Sequence, residues 1–564
     1  MQSDLDIARA TPMVPLAELS ERWGVPSESL SPYGHYMAKV DHRLGLAPPS
    51  SDVKTILVTA ITPTPAGEGK TVHTIGLALA LNRLGKKAAA TIRQPSMGPV
   101  FGIKGGAAGG GHSQVLPMED INLHLTGDFH AVTAAHNLMA AAVDTTVLLD
   151  NPHEIDPERI LIKRVADVND RGLREIRVGL GGKLNGVPRT SGFEITSASE
   201  VMAVLGLSRD LPDMRARLGR IIVAETFGEQ PVTADQIGVA GAMAALLSKA
   251  LDPTLLQTTE GTPALVHTGP FANIAHGNSS VVADRVAATF CDYVITEAGF
   301  GADMGAEKFF SIKVPASGMP ADAALLVVTV RALKMHSGRY EVKPGRPLPA
   351  ELMEPSLDAL SEGCSNMEAQ LDNVRAHGVP VVVAINRFPT DSDEELELVR
   401  ERAMAGGARG AFLSEVHAKG GAGGEQIAQA IIDAAESGEA NVQPLYEPET
   451  PLIEKLGILV KKQYGGAGVE LEPEAQAQLK KIEEQGGAHL PICVAKTQYS
   501  LSHDGSLKGR PTGFTLPIRS LRLAAGAGFV IAYAGKIMTM PGLGRKPAYK
   551  AVDLDEEGRV VGLF

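Results

Sequence analysis

Apolar positions in this chain fall into short blocks with helix-length stretches between them. The first clear block, TILVTAI (Thr55 to Ile61), is β-branched and unbroken, which predicts a buried strand. Just beyond it, TVHTIGLALALNRLG sets Val72, Ile75 and Leu79 at three- and four-residue spacing and stops at Gly85, the pattern of an amphipathic helix with a glycine end. The alternation continues through KKAAATIR, TTVLLD, GRIIVAETF, PALVHTG, CDYVITEAG, AALLVVTV and VPVVVAIN, each read as a strand. Strands separated by helical segments predict an α/β protein on a parallel sheet, whose ligands sit beyond the carboxyl ends of the strands. Residues 1 to about 50 read as helical with breaks. After about residue 445, glycine-broken runs in GFTLPIRSLRLAAGAGFVIAYAGKIMTM predict a smaller mixed domain, and Glu341 to Pro355 reads as a linker.

Between the first strand and its helix lies TPAGEGKT, Thr64 to Thr71. Gly69, Lys70 and Thr71 match the end of the phosphate-binding pattern GxxxxGK[ST], while Thr64 occupies the place of its first glycine. Threonine flanked by Pro63 and Pro65 implies a differently shaped start to the loop, and Gly67 and Gly69 still let the backbone approach an anion. Backbone N–H groups and a helix N-terminus would face the phosphates, Lys70 would add a point charge, and the Thr71 hydroxyl suits magnesium.

Composition narrows the ligands. A chain of 564 residues predicts more than one domain, and 44% hydrophobic with 21% charged residues argues against extensive disorder. The net charge of -12, with no long basic run, gives nucleic acid or an anionic membrane little to hold, so small-molecule partners are expected. Three scattered cysteines, Cys291, Cys364 and Cys493, exclude a thiolate zinc site and fit a reducing compartment. The N-terminal stretch has no signal-like or membrane-spanning apolar run, and a cytoplasmic protein is expected.

Other segments offer candidate chemistry. Arg93 closes the second strand block, where its fork suits a carboxylate or phosphate, beside the alternative of an ordinary surface arginine. The glycine run Gly102 to Gly111, with Lys104, reads either as a linker or as a nest for an anion. His124, His130 and His136 recur every six residues, which does not align them on one helix face and argues for structural histidines over a metal triad. In VVVAINRFPTD the Asp falls five residues after Asn386, too far for a guanine-reading tetrad, and Phe388 with Pro389 forms a shelf for a flat aromatic ligand.

Taken together, TPTPAGEGKT, RQPSMGPVFGIKGGAAGGGHSQVLPMEDINLHLTGD, GPFANIAHG, EAGFGADMGAEKFF, VVTVRALKMHSG, AINRFPTD and KGRPTGF with MTMPGLG resemble the formate–tetrahydrofolate ligases, from about Tyr33 to Phe564. The resemblance implies a monofunctional, ATP-dependent ligase that makes formyl phosphate and transfers its formyl group to tetrahydrofolate. It implies ATP, with magnesium at Thr71, on Thr64, Pro65, Ala66, Gly67, Glu68, Gly69, Lys70 and Thr71, with Lys70 stabilising the transferred phosphoryl group. It further implies that Arg93 holds formate and then formyl phosphate, that Asp128 orients the folate amine or takes its proton, and that Phe300, Phe388 and Pro389 line the pterin pocket. A monovalent cation, potassium or ammonium, and a homotetramer come with the family. The implied fold is a P-loop-containing parallel-sheet main domain (1–355), an α/β domain completing the folate pocket (356–445) and a small mixed C-terminal domain (446–564). In the family a tryptophan in Val-Trp-Ala-Lys-Gly-Gly stacks on the pterin; this chain reads EVHAKGG, with His417 there and its single tryptophan, Trp23, far away. His112 likewise stands where tyrosine is common. Two rival readings are another carboxylate-activating P-loop ligase, of the dethiobiotin-synthetase kind, and a nucleotide-gated switch protein.

Overall fold

The computed structural model describes residues 3–65, 67–102, 108–342 and 347–563. Ala66 of the loop, residues 103–107 of the glycine run with Lys104, 343–346 of the expected linker, and Phe564 lie outside them. Among the described residues the chain folds around one twelve-stranded sheet. Its main path runs Leu30–Tyr33, Met37–Val40, Thr254–Thr258, Pro263–Val266, Ala88–Ile92, Tyr293–Glu297, Lys54–Ala60, Ala323–Val328, Val381–Asn386, Gly410–Ser414. From Pro263–Val266 to Gly410–Ser414 every pairing is parallel; the strands before Pro263 on this path pair antiparallel. The sheet is thus α/β and mostly parallel, with strands Val381–Asn386 and Gly410–Ser414 extending the sheet begun near residue 54.

Burial on both faces explains the unbroken apolar blocks. Along Lys54–Ala60, Ile56, Val58 and Ala60 enter one core cluster with Ile75 and Leu79 of the following helix, while Leu57 enters another with Leu326 and Leu360. From Lys54–Ala60 the chain moves first to Ala88–Ile92 and Pro263–Val266 on one side, returns to Tyr293–Glu297, and then builds outward on the other side. Connections therefore leave in opposite directions around the Lys54–Ala60 strand, the arrangement that opens a crevice at the carboxyl ends of such strands.

Three expected features fold otherwise. TTVLLD is no strand: it finishes the helix Asp128–Leu149, where Thr145 and Thr146 turn their hydroxyls back onto the carbonyls of Ala141 and Ala142 and so satisfy the polar groups that favour extended chain. Within GRIIVAETF the strand Ile222–Thr226 forms, but in a three-stranded sheet with Ile155–Ile160 and Pro231–Thr233, outside the main sheet. The first fifty residues hold helices Asp4–Ala10 and Leu16–Trp23 and then an antiparallel hairpin, Leu30–Tyr33 with Met37–Val40. Asp128–Leu149 is, among the described residues, the one helix long and apolar enough to cross a membrane by length and composition; Phe129, Val132, Ala135, Met139 and Val143 on it join the main core cluster.

After residue 445 a separate cluster forms around Leu452, Leu456, Tyr464, Ile492, Val494, Ile518 and Val530. It sits between the helices Leu452–Leu459 and Pro473–Glu484 and two small sheets, one pairing Gly468–Leu471 with Thr515–Ile518, the other ordering Ile492–Ala495, Phe529–Tyr533 and Ser520–Ala524.

Candidate active site

The stretch after Lys54–Ala60 is shaped by two glycines. Gly67 has φ 74° and Gly69 φ 87°, backbone that a β-carbon would strain, and Gly69 is the N-cap of helix Lys70–Arg83 with no side chain capping it. The first amides of that helix therefore face the crevice unpaired within the helix. Glu68, 3% exposed, braces the loop from inside: its Oε1 accepts from the Thr64 amide at 2.7 Å and the Thr64 hydroxyl at 3.1 Å, and its Oε2 lies 3.6 Å from Lys70 Nζ. Thr64 thus closes the loop through its hydroxyl and amide. Asn386, at the end of its strand, donates to the Glu68 carbonyl at 3.2 Å.

The neighbouring strand ends bring their own groups to this edge. Glu297 closes Tyr293–Glu297, and its Oε2 accepts from the Thr71 hydroxyl at 2.8 Å while its Oε1 lies 3.4 Å from both Nε and Nη2 of Arg93. Arg93 Nη1 donates to the Pro270 carbonyl at 3.2 Å. A β-carbon on Gly299 would stand 3.1 Å from both terminal nitrogens of Arg93 and 2.6 Å from Ala272 Cβ, so only glycine lets this segment lie against the guanidinium. Next to it Phe300 holds φ 60°, a backbone conformation costly for an aromatic residue and typical of ligand clamps.

His73, one turn into the helix, is buried, and burial pushes its imidazole down to about 4. Its Nδ1 lies 2.8 Å from the Gly69 carbonyl, which can only accept, so Nδ1 carries the proton and Nε2 presents a lone pair. Beside the loop a cavity of about 140 Å³ is lined by Pro63, Thr64, Pro65, Met335, His336, Tyr340, Tyr499 and Lys508, among others.

The remaining candidates lie around this centre at different removes. Asp128 is buried and opens its helix in an ion pair with Lys39, 2.6 Å, and burial raises its carboxyl despite that charge. Its neighbour Phe129 packs against Gly269, and the preceding residue, Thr268, accepts from the Gln94 amide next to Arg93. Phe388 is half-buried under the Arg331 guanidinium, whose carbon is 3.7 Å from the ring centroid; Pro389 is exposed. His124 and His130 touch each other, Nδ1 to Nε2 at 2.8 Å, and His136 bonds the Lys163 carbonyl. Asp41, His42 and Asp252 come close enough to share a cation, with His42 Nδ1 already 2.7 Å from Asp252 Oδ1.

The sequence profile described as Formate–tetrahydrofolate ligase matches residues 2–564. Proteins of that name are similar along the full chain: 53% identity with one from Aeromonas hydrophila, covering 100% of both chains, and 54% with one from Saccharopolyspora erythraea, covering 100% of this chain and 99% of the relative. A third, from Desulforamulus reducens, is 52% identical over 100% of this chain and 99% of its own. The chain belongs to the formate–tetrahydrofolate ligase family.

In this family member His417 follows strand Gly410–Ser414 on the short helix Val416–Lys419. Its side chain is 55% exposed, with Nε2 3.8 Å from Asp4 Oδ1; its ring faces Gly110 and Gly111, and its carbonyl accepts from the His112 amide. Trp23 packs half-buried against the main core cluster. Sequence reasoning passed over Glu297 and Asn386 as site residues. Each closes a buried strand beside Lys54–Ala60 or one strand further out, and a polar residue ending such an apolar run was the available signal.

Proposed function

We propose that this enzyme joins formate to tetrahydrofolate at the expense of ATP, through formyl phosphate. A formate oxygen attacks the γ-phosphorus, the bond to the bridging oxygen breaks, and ADP leaves. The folate amine then attacks the formyl carbon, the carbon–oxygen bond to phosphate breaks, phosphate departs and the amine loses its proton. The observation that carries this reading is Glu297, whose carboxylate touches both Thr71 on the loop helix and Arg93. A phosphate on the loop amides and a carboxylate on the Arg93 fork would therefore be neighbours, as attack requires.

In this reading the loop 64–71 is a P-loop, Lys70 stabilises charge on the transferred phosphoryl group, and the cavity walled by Pro63, Pro65, Tyr340 and Tyr499 takes the rest of the nucleotide. The Thr71 hydroxyl and the Glu297 carboxylate form a hard-oxygen set that fits magnesium, which would neutralise phosphate charge there. Phe300, Phe388 and Pro389 would line the pterin side with His417 at its margin, and Asp128 would act on the folate amine. The domain division at 355 and 445, the potassium or ammonium ion, the homotetramer and the cytoplasmic location belong to the same proposal. An assay of 10-formyltetrahydrofolate formation, with formate, ATP and tetrahydrofolate omitted in turn, tests it. Product must vanish with each omission and ADP must appear in step; product without ATP would overturn the formyl phosphate route.

A further inference from the structure

Lys496 belongs to the C-terminal unit yet is fully buried and paired with Asp303, in the segment that follows strand Tyr293–Glu297. Its ammonium spends its donors on Asp303 Oδ2 at 2.7 Å, the Ser500 carbonyl at 2.6 Å and the Thr497 carbonyl at 3.4 Å, and lies 5.0 Å from the centre of the Tyr464 ring. The other Asp303 oxygen accepts from Gln370 Nε2 at 2.7 Å, and the same nitrogen donates to Thr62 Oγ1 at 3.0 Å. Thr62 stands between strand Lys54–Ala60 and Thr64, and every polar atom it has is held. Its amide donates to Asn366 Oδ1, its hydroxyl oxygen accepts from Asn366 and Gln370, and its carbonyl lies 2.8 Å from His336 Nε2. The C-terminal unit reaches it a second time, because Asn366 Nδ2 also donates to the Gly509 carbonyl at 2.8 Å.

The relay holds a second segment too. Asp303 donates its amide to Gln370 Oε1 at 2.9 Å, and a β-carbon on Gly301 would meet Asp303 Oδ1, Gln370 Nε2 and the Ile61 carbonyl. The turn carrying Phe300 is therefore packed onto the same amide that holds Thr62.

We infer that Lys496 is a positioning residue: through Asp303 and Gln370 it fixes the spacing between the head of the 64–71 loop and the Phe300 segment. This rests on the proposed assignment of ATP to the loop and folate to Phe300. A buried ion pair is a poor source of net stability, since desolvation offsets its attraction, and an apolar pair would join the two units as well. What charge and amide add is a fixed geometry at both ends, in which each donor hydrogen has one acceptor. Occupancy at one end then favours the other, so the two substrates are coupled through it.

The deciding variant is Gln370→Leu, which cuts the relay and leaves the Lys496–Asp303 pair in place. In the full-length enzyme the KM values for ATP and tetrahydrofolate should rise together, each about fivefold or more, beside a lowered thermal midpoint, because the buried Asp303 and Asn373 amides lose their acceptor. Lys496→Met should do the same with a loss of stability, and Lys496→Arg should restore part of the affinity; if Lys496→Met does not fold, Gln370→Leu decides alone. A folded Gln370→Leu enzyme with parental KM for both substrates overturns the inference while leaving the proposed function intact. Calorimetry that finds no ATP binding to the parent protein overturns both.

Discussion

Two largely buried lysines are treated in opposite ways by the two regions they serve. In the C-terminal unit Lys455 is fully buried and saturated: its ammonium donates to the carbonyls of Pro448, Ala488 and Leu490 at 2.7, 2.9 and 3.0 Å. At the carboxyl edge of the main sheet Lys70 is 15% exposed and has the Glu68 carboxylate 3.6 Å away. Orphaned buried atoms occur in both regions, Gln463 Oε1 and His503 Nδ1 in the C-terminal unit among them. Near the loop edge Thr59 Oγ1, His73 Nε2, Gln94 Oε1, Thr268 Oγ1 and Asn278 Oδ1 are buried with no hydrogen-bond partner in the protein. Buried polar atoms are almost always satisfied, so atoms left open at the mouth of a parallel sheet mark where solvent or substrate supplies the missing partner. A saturated lysine holds the fold; an under-bonded one beside open amides is available to a ligand.

The sharpest way to break this comparison is to remove both ammonium groups in separate proteins. Lys70→Ala should lower kcat by about a hundredfold or more, the loss seen when a preorganised charge is taken from a developing oxyanion, while its unfolding curve stays near the parent's. Arg93→Lys comes next, with a formate KM raised roughly tenfold, because an ammonium cannot offer two parallel donors to a carboxylate; ATP affinity should change little. Lys455→Met should reverse the pattern: urea denaturation should show a loss of about 1–3 kcal/mol for carbonyls left without a donor, and turnover should be retained. If Lys455→Met loses turnover at parental stability, or Lys70→Ala loses stability at parental turnover, bonding state does not separate the two roles.

The same physics explains what could be read from the sequence. Strands at the centre of the main sheet are buried on both faces, so their apolar runs are unbroken and Thr55 to Ile61, Pro263 onward and Val381 onward read directly. Leu30–Tyr33 at the sheet's edge has three exposed residues and a proline, and it carries no such signal. TTVLLD looked like a strand because local preference favours β-branched residues there, whereas the helix arriving from Asp128 decides the outcome. At the site, the loop glycines, Lys70 and Arg93 were legible because they sit at fixed offsets from a strand. Thr62, Gln370 and Lys496 were not, since their partners are brought together only by tertiary contacts between residues 67 to 308 positions apart.

A smaller effect tests whether saturation also holds where the two regions meet. Glu307 is fully buried; Ser311 donates to its Oε1 at 2.6 Å, and its Oε2 has no hydrogen-bond partner. Burial pushes its carboxyl from 4.5 up to about 7, against the pull of Ser311 and Lys308. Between those values the folded protein keeps a proton that the unfolded chain has released, so this group makes stability fall as pH rises from 4.5 to about 7 and contributes no slope beyond. Glu307→Gln should remove that slope and leave the difference between variant and parent level above about 7. Parallel pH–stability curves for the two proteins would show that Glu307 is ionised in the folded state and that the interface closes by charge instead.

The smallest effect concerns His417, on the short helix after strand Gly410–Ser414. Its ring is more than half exposed and rests against Gly110 and Gly111 beside the Asp4 carboxylate, and its carbonyl fixes the His112 amide. Substitution therefore changes the ring without disturbing the backbone bond that holds the segment. An indole offers a pterin a larger aromatic face than an imidazole, and such contacts are worth about 0.5 to 1.5 kcal/mol beyond area burial. His417→Trp should accordingly tighten tetrahydrofolate binding by up to roughly tenfold, with ATP saturation unchanged, as titration calorimetry on both proteins would show. Unchanged folate affinity in a folded His417→Trp protein would place the ring outside the folate pocket and leave Phe300 and Phe388 to hold the pterin. The open region would then end at the strand Val381–Asn386 rather than at Gly410–Ser414.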